Sequence, residues 1–243
     1  MKSVNDAQYA DALLNIRSYF SNSETSIHKA RNEIKIYKYK EDEFVIKSFK
    51  IANLLNKFIY TYLKSSKAER SYANSIRIAD FVPKPIGYIE FKKHGLLHDS
   101  YFVSEKFNFD ITIREVLHKS DFPDRENIFA EFANFTFLLH ENNILHLDYS
   151  PGNILIKESD GRYIFKIVDI NRMIFKNLSL DERLKNFCML WAKDEDMKII
   201  AGYYAELMST DKEYCINKAI YYSRRNKKFK NIKKRIRGKP VNV

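Results

Sequence analysis

Residues 146 to 153 read His-Leu-Asp-Tyr-Ser-Pro-Gly-Asn, and residues 168 to 172 read Val-Asp-Ile-Asn-Arg. Between them, Ile154 to Ile156 and Ile164 to Val168 are short apolar runs flanking the turn-like Ser159-Asp160-Gly161-Arg162, the pattern of two paired strands. Ahead of them a helical stretch opens at Asp124, places Ile128, Phe129, Phe132, Phe135, Leu138 and Leu139 on one face, and ends near Asn142-Asn143. In that order, helix, polar loop and strand pair let Asp148 and Asn153, five positions apart on one loop, converge with Asp169 on one metal-nucleotide site. Phosphoryl transfer needs such a set: Asp148 to orient or deprotonate an acceptor hydroxyl, Asn153 and Asp169 as oxygen ligands of Mg2+. Singly, each is an ordinary turn or capping residue. Their joint order and context carry the reading.

Upstream, residues 33 to 50 alternate apolar and polar around the turn Lys40 to Glu43 and predict a hairpin. Its second strand ends Phe44-Val45-Ile46-Lys47, the position of a nucleotide-phosphate lysine; Lys50 is the rival, but it follows the strand alternation less well. Ile51, Leu54, Leu55, Phe58, Ile59, Tyr62 and Leu63 then mark one helix face, read first as a core-packed helix and second as one lying on a lipid interface. A further helix from Lys67 to about Asp80, before Val82-Pro83-Lys84-Pro85, carries Glu69, the expected ion-pair partner of Lys47. Strands follow at Ile86 to Phe91 and Tyr101 to Phe107 around the turn Lys92 to Ser100, and Glu105, Lys106 and Phe107 fall where backbone groups would meet adenine. From Leu180 onward the pattern is helical. The expected fold is therefore α+β and bilobal, of the protein-kinase type: a small β-rich N-lobe over 1–107, a mostly helical C-lobe over 108–217 and a basic tail over 218–243.

Composition narrows the classes. The 243 residues are 45% apolar, enough for a sizeable core, which excludes disorder as the overall state. Net charge is +11, and eleven Lys/Arg with no acid lie from Lys218 onward; the remaining 31 basic groups balance 31 acidic ones. The charge thus belongs to the tail, which could meet anionic headgroups or nucleic acid; scattered aromatics give no base-stacking platform, so nucleic acid is the weaker expectation. Cys188 and Cys215 lack metal spacing and read as packing residues in a reducing compartment. Asp6 and Asp11 interrupt any secretory run, and no stretch predicts a membrane span. The six glycines all lie beyond position 86, which excludes a GxGxxG or Walker A loop.

Departures from protein kinases are specific. Leu147 replaces the Arg of H-R-D, Ser150 stands where Ser/Thr kinases keep a Lys, Asn171 replaces the Gly of D-F-G, and no A-P-E motif follows. Only 74 residues remain after Asp169, little for a peptide-docking lobe, which favours a small or glycan acceptor. Taken together, His146-Leu147-Asp148 with Asn153, Asp169-Ile170-Asn171-Arg172, Lys47 and Glu69 resemble the lipopolysaccharide inner-core kinases, the Kdo and heptose kinases of Gram-negative bacteria. Asp-Ile-Asn-Arg is similar to that family's variant of D-F-G. The resemblance spans roughly residues 25 to 190. It implies ATP- and Mg2+-dependent phosphorylation of a sugar hydroxyl on lipid A-linked core, Kdo preferred over heptose, by a cytoplasmic protein peripheral at the inner face of the inner membrane. It also puts Ser26 to Asn32 in the place of a phosphate loop, with Lys29 or Arg31 supplying charge. Two other classes stay open: an atypical RNA-associated small kinase or ATPase, and a nucleotide-binding pseudokinase serving as an interaction module. Oligomeric state leaves no sequence signal.

Overall fold

The computed structural model describes residues 9–22, 26–29, 33–51, 53–238 and 240. The chain divides into two units, residues 1–108 with 169–172 and residues 109–168 with 173–243. The short Asp169–Arg172 segment belongs to the first unit although its flanks belong to the second.

In the first unit, helices α1 (Ala10–Leu14) and α2 (Ile16–Asn22) precede strands β1 (Ser26–Lys29), β2 (Glu33–Tyr39) and β3 (Asp42–Lys50). Helix α3 (Leu54–Phe58) continues as a π-helical turn, Ile59–Leu63; α4 (Lys67–Arg77) and strands β4 (Pro85–Lys93) and β5 (Leu96–Glu105) follow. The five strands form an antiparallel sheet in the order β1-β2-β3-β5-β4. Its turns are tighter than the sequence predicts. Tyr39 pairs with Asp42, leaving only Lys40 and Glu41 in the first turn. Lys93 pairs with Leu96, and His94 and Gly95 both take positive φ, the primed-turn geometry that suits strand twist.

Strand alternation sorts β3 onto two faces. Phe44 and Ile46 join Leu13, Ile16 and Phe20 of the N-terminal helices in one buried cluster. Phe49 packs with Ala68 and Tyr72 of α4 and Tyr88 of β4 in another. Lys47 has the parity of Phe49, so it shares the α4 side of the sheet, whereas Lys50 has the opposite parity and is exposed. The helices at 10–22 were not foreseen; Arg17 fastens them by a two-pronged bond to buried Asp99 (2.5 and 3.0 Å) and by stacking 3.9 Å over Phe91.

The amphipathic stretch 51–63 is helical, but its core-packed reading is wrong. Neither α3 nor its π-helical turn has a buried residue.

The second unit contains β6 (Ile111–Thr112), α5 (Ile113–His118), α6 (Arg125–Glu141), β7 (Ile144–His146), β8 (Ile154–Ser159), β9 (Arg162–Ile167), β10 (Met173–Phe175), α7 (Leu180–Asn186), α8 (Asp194–Leu207) and α9 (Lys212–Ile236). The α6 stripe is buried as expected except at Leu138, which faces solvent; buried Thr136 and His140 extend it instead. Each Phe fully buried along it contributes about 1.5–3 kcal/mol. Strands β6, β8 and β9 form one sheet, and β7 pairs with β10. Both cysteines are free and buried, as expected of packing residues.

The basic stretch from Lys218 is not a separate tail. It is most of α9, an unbroken 25-residue helix whose Cys215, Ala219 and Ser223 are buried along one stripe. Polar anchors continue past that stripe: Asn226 donates to the Cys188 carbonyl (2.8 Å), Lys227 to that of Ala192 (2.6 Å), and Arg224 pairs with Asp194. Ile232 and Ile236, four apart near the end of the helix, are exposed.

Candidate active site

The loop after β7 is fixed from beneath. His146 is buried, its Nδ1 accepts the Asp148 backbone N–H (3.0 Å), and the proton on Nε2 therefore goes to the Val168 carbonyl (3.0 Å). Tyr149 is fully buried against Phe132, and its hydroxyl pairs with Thr136 (2.8 Å). Burial pushes its phenol well above the ordinary range, so it stays neutral. Asp148 sits between these two anchors, half-buried, and among the described residues its carboxylate makes no hydrogen bond or ion pair. Asn153 spends its amide Nδ2 on the Asp148 carbonyl (2.9 Å), which turns Oδ1 free. Its backbone carbonyl accepts the Val168 N–H (2.9 Å), tying the loop to the strand that leads into Asp169.

A buried polar chain runs under this loop. Tyr204 of α8 meets His140 Nδ1 of α6 (2.8 Å), His140 Nε2 meets Asn186 Oδ1 of α7 (3.2 Å), and Asn186 Nδ2 donates to the His146 carbonyl (3.0 Å). Burial lowers the His140 imidazole to about 4. Neither His140 nor Asn186 stood out in the sequence, since each looks like an ordinary helix residue. Gly152 was likewise unremarked: a Cβ there would lie 2.3 Å from Arg114 Nη2, because the guanidinium rests on the loop backbone.

In the first unit, Lys47 Nζ forms an ion pair with Asp169 Oδ1 (2.8 Å), and the Asn171 amide donates to the same oxygen (2.5 Å). Asp169 has φ of 59°, a conformation rarely taken by a residue with a side chain. Asn74 of α4 holds the next peptide, donating to the Ile170 carbonyl (2.6 Å). The expected Lys47–Glu69 pair is absent among the described residues. Ser66 caps α4 by accepting the Glu69 N–H (3.0 Å), which puts Glu69 in the first turn, bordering a cavity of about 690 Å³ with Glu90 and Lys92. The buried side of α4 presents Ala68, Ser71, Tyr72 and Ser75, none of them acidic.

At the end of β5, the Glu105 N–H is taken by the Lys84 carbonyl (2.8 Å) and the Lys106 N–H by that of Glu43 (2.8 Å). Of the three residues expected to meet adenine, Phe107 alone keeps its N–H without a backbone partner among the described residues. The expected phosphate loop, 26–32, is described only as β1, paired with β2; residues 30–32, Arg31 among them, lie outside the described residues, and so do the side chains of 26–29.

Each unit by itself carries side chains whose chemical kind suits a magnesium nucleotide. Asn153 Oδ1 and Asp169 Oδ2 are hard oxygen donors without partners among the described residues, and Lys47 is a cation beside one of them.

No family model matches the chain. A stretch of 78 residues is 33% identical to a probable inactive serine/threonine-protein kinase of Dictyostelium discoideum, covering 31% of this chain and 9% of that protein. Among solved structures, WaaP in complex with acyl carrier protein superposes with a TM-score of 0.61 at 11% identity, over 94% of this chain and 99% of that one. The chain therefore has a kinase-like fold of the kind seen in WaaP.

Proposed function

We propose that the chain is an ATP-dependent kinase that transfers the γ-phosphate to a sugar hydroxyl of the lipid A-linked lipopolysaccharide inner core, with Kdo preferred over heptose. The observation that carries the reading is the Asp148 carboxylate, without a partner among the described residues, on a loop locked by His146 and Tyr149 and beside Asn153, whose Oδ1 is likewise without a partner among them. The fold shared with WaaP supports phosphotransferase activity on lipopolysaccharide core sugars.

In this reading Asp148 accepts the hydrogen bond of the acceptor hydroxyl and takes its proton late in transfer. Lys47 turns from Asp169 to the nucleotide phosphates, which leaves Asp169 Oδ1 held by the Asn171 amide alone and Oδ2 open. Asn153 and Asp169 each offer an oxygen to Mg2+, and the Phe107 N–H faces adenine. Bound Mg2+-ATP supplies the phosphoryl group and the charge neutralisation that its transfer requires. The exposed basic residues of α9 add attraction to an anionic membrane surface carrying the acceptor.

The test is transfer of labelled γ-phosphate to purified lipid A bearing Kdo, and to the same glycolipid extended with heptose. Label on the sugar, faster with Kdo and lost in Asp148→Asn, is the expected result. Label on neither glycolipid overturns the proposal. The name of the Dictyostelium relative favours one second reading, a pseudokinase, which predicts ATP binding without transfer to any acceptor.

A further inference from the structure

Surface helices normally turn their apolar stripe inward, and α3 with its π-helical turn does the reverse. Leu54 is 74% exposed, Leu55 70%, Phe58 49%, Tyr62 63% and Leu63 69%. The inward contact is made by the polar side: Thr61 Oγ1 accepts the Leu97 N–H of β5 (2.8 Å) and donates to the Lys57 carbonyl (2.6 Å). Asn53 caps the helix start by accepting the Asn56 N–H (2.8 Å), so the outward stripe is presented by a closed, anchored helix. An apolar area of this kind marks a surface that something else covers.

Charge identifies the cover. From Lys50 to Ala68 the chain carries Lys50, Lys57, Lys64 and Lys67 and no Asp or Glu. None of these lysines forms an ion pair among the described residues. An outward stripe of Leu and Phe with a Tyr at its border, flanked by unpaired lysines, is the composition of a helix lying in the interface of an anionic bilayer. We propose that α3 and its π-helical turn insert their Leu54, Leu55, Phe58, Tyr62 and Leu63 side chains into the headgroup boundary of an anionic lipid surface, with Lys57 and Lys64 on the lipid phosphates. The proposal does not depend on which acceptor the protein phosphorylates.

The test uses the full chain and sedimentation with vesicles, either pure phosphatidylcholine or phosphatidylcholine mixed with phosphatidylglycerol. Binding to the mixed vesicles, weakened by salt, is expected, together with a loss of at least about tenfold in a Leu54→Gln, Leu55→Gln, Leu63→Gln variant whose melting temperature is unchanged. In a Phe58→Trp variant, emission should shift to the blue on the mixed vesicles. Equal vesicle binding by wild type and triple variant overturns the proposal and transfers the role to α9. Absence of binding, or a dimer or a complex with an acidic protein that the triple variant abolishes, overturns it in favour of a protein partner.

Discussion

Asp148 stands on a loop whose neighbours are locked into the interior by uncharged hydrogen bonds, whereas Asp169 is held by the charge of Lys47 and one amide. Neutral buried bonds fix a geometry that persists whether or not a ligand is present, since an unmade buried bond costs about 1–3 kcal/mol. A half-buried charge pair can be exchanged for another charge. In the proposed mechanism Asp148 is thus the preorganised carboxylate and Asp169 the exchangeable one; damage to the two should appear in different measurements.

The sharpest test is Asp148→Asn, expected to lower turnover by about 10²-fold or more while leaving ATP affinity and melting temperature near wild type. A loss confined to ATP affinity would break the distinction. Next, Lys47→Ala should weaken ATP binding by about ten- to a hundredfold, the worth of one charged hydrogen bond, and Lys50→Ala by much less, because the two lysines point to opposite faces of β3. Comparable losses in a binding titration would show that strand parity does not select the phosphate lysine.

Asn186→Ala should act on stability instead, costing about 1–3 kcal/mol in denaturant unfolding, because it removes the donor to the His146 carbonyl and the acceptor at His140 Nε2 in the interior. The smallest effect concerns pH. Burial holds His140 at about 4, below its ordinary 6.5, so the unfolded chain binds the proton first as pH falls. Stability should therefore be full above about 6.5, decline on acidification and level off near 4, with about 1 kcal/mol lost by pH 5.5. His140→Asn should flatten that part of the pH–stability curve; an unchanged slope would place the sensitivity elsewhere.

What the sequence made legible was local. Alternation gave β2 and β3, short apolar runs around a turn gave β8 and β9, and helical spacing gave α6, because each signal lies within a few residues of itself. Packing choices were not legible. The stripe at 54–63 has the same periodicity whether it faces a core or a membrane, and only the Thr61–Leu97 bond decides the side. The Lys47–Asp169 pair was not legible because the two residues are 122 positions apart and no periodic signal links them. Strands β7 and β10, three residues each, are too short for a periodic signal. The basic stretch read as a tail because charge hid the small stripe Cys215, Ala219, Ser223 that docks it.

The buried chain from Tyr204 to His146 has a direction, and one atom sets it. The His146 carbonyl can only accept, so it compels the Asn186 NH2 to face it and the amide oxygen to face His140. His140 must then carry its proton on Nε2, its Nδ1 must accept, and the Tyr204 hydroxyl must donate. Every proton in the chain is assigned from one end, with no alternative of equal bond count. Shape alone will therefore not preserve the arrangement: Asn186→Asp, nearly identical in size, has no donor for that carbonyl when ionised, and it should loosen the Asp148 loop as surely as removing the side chain.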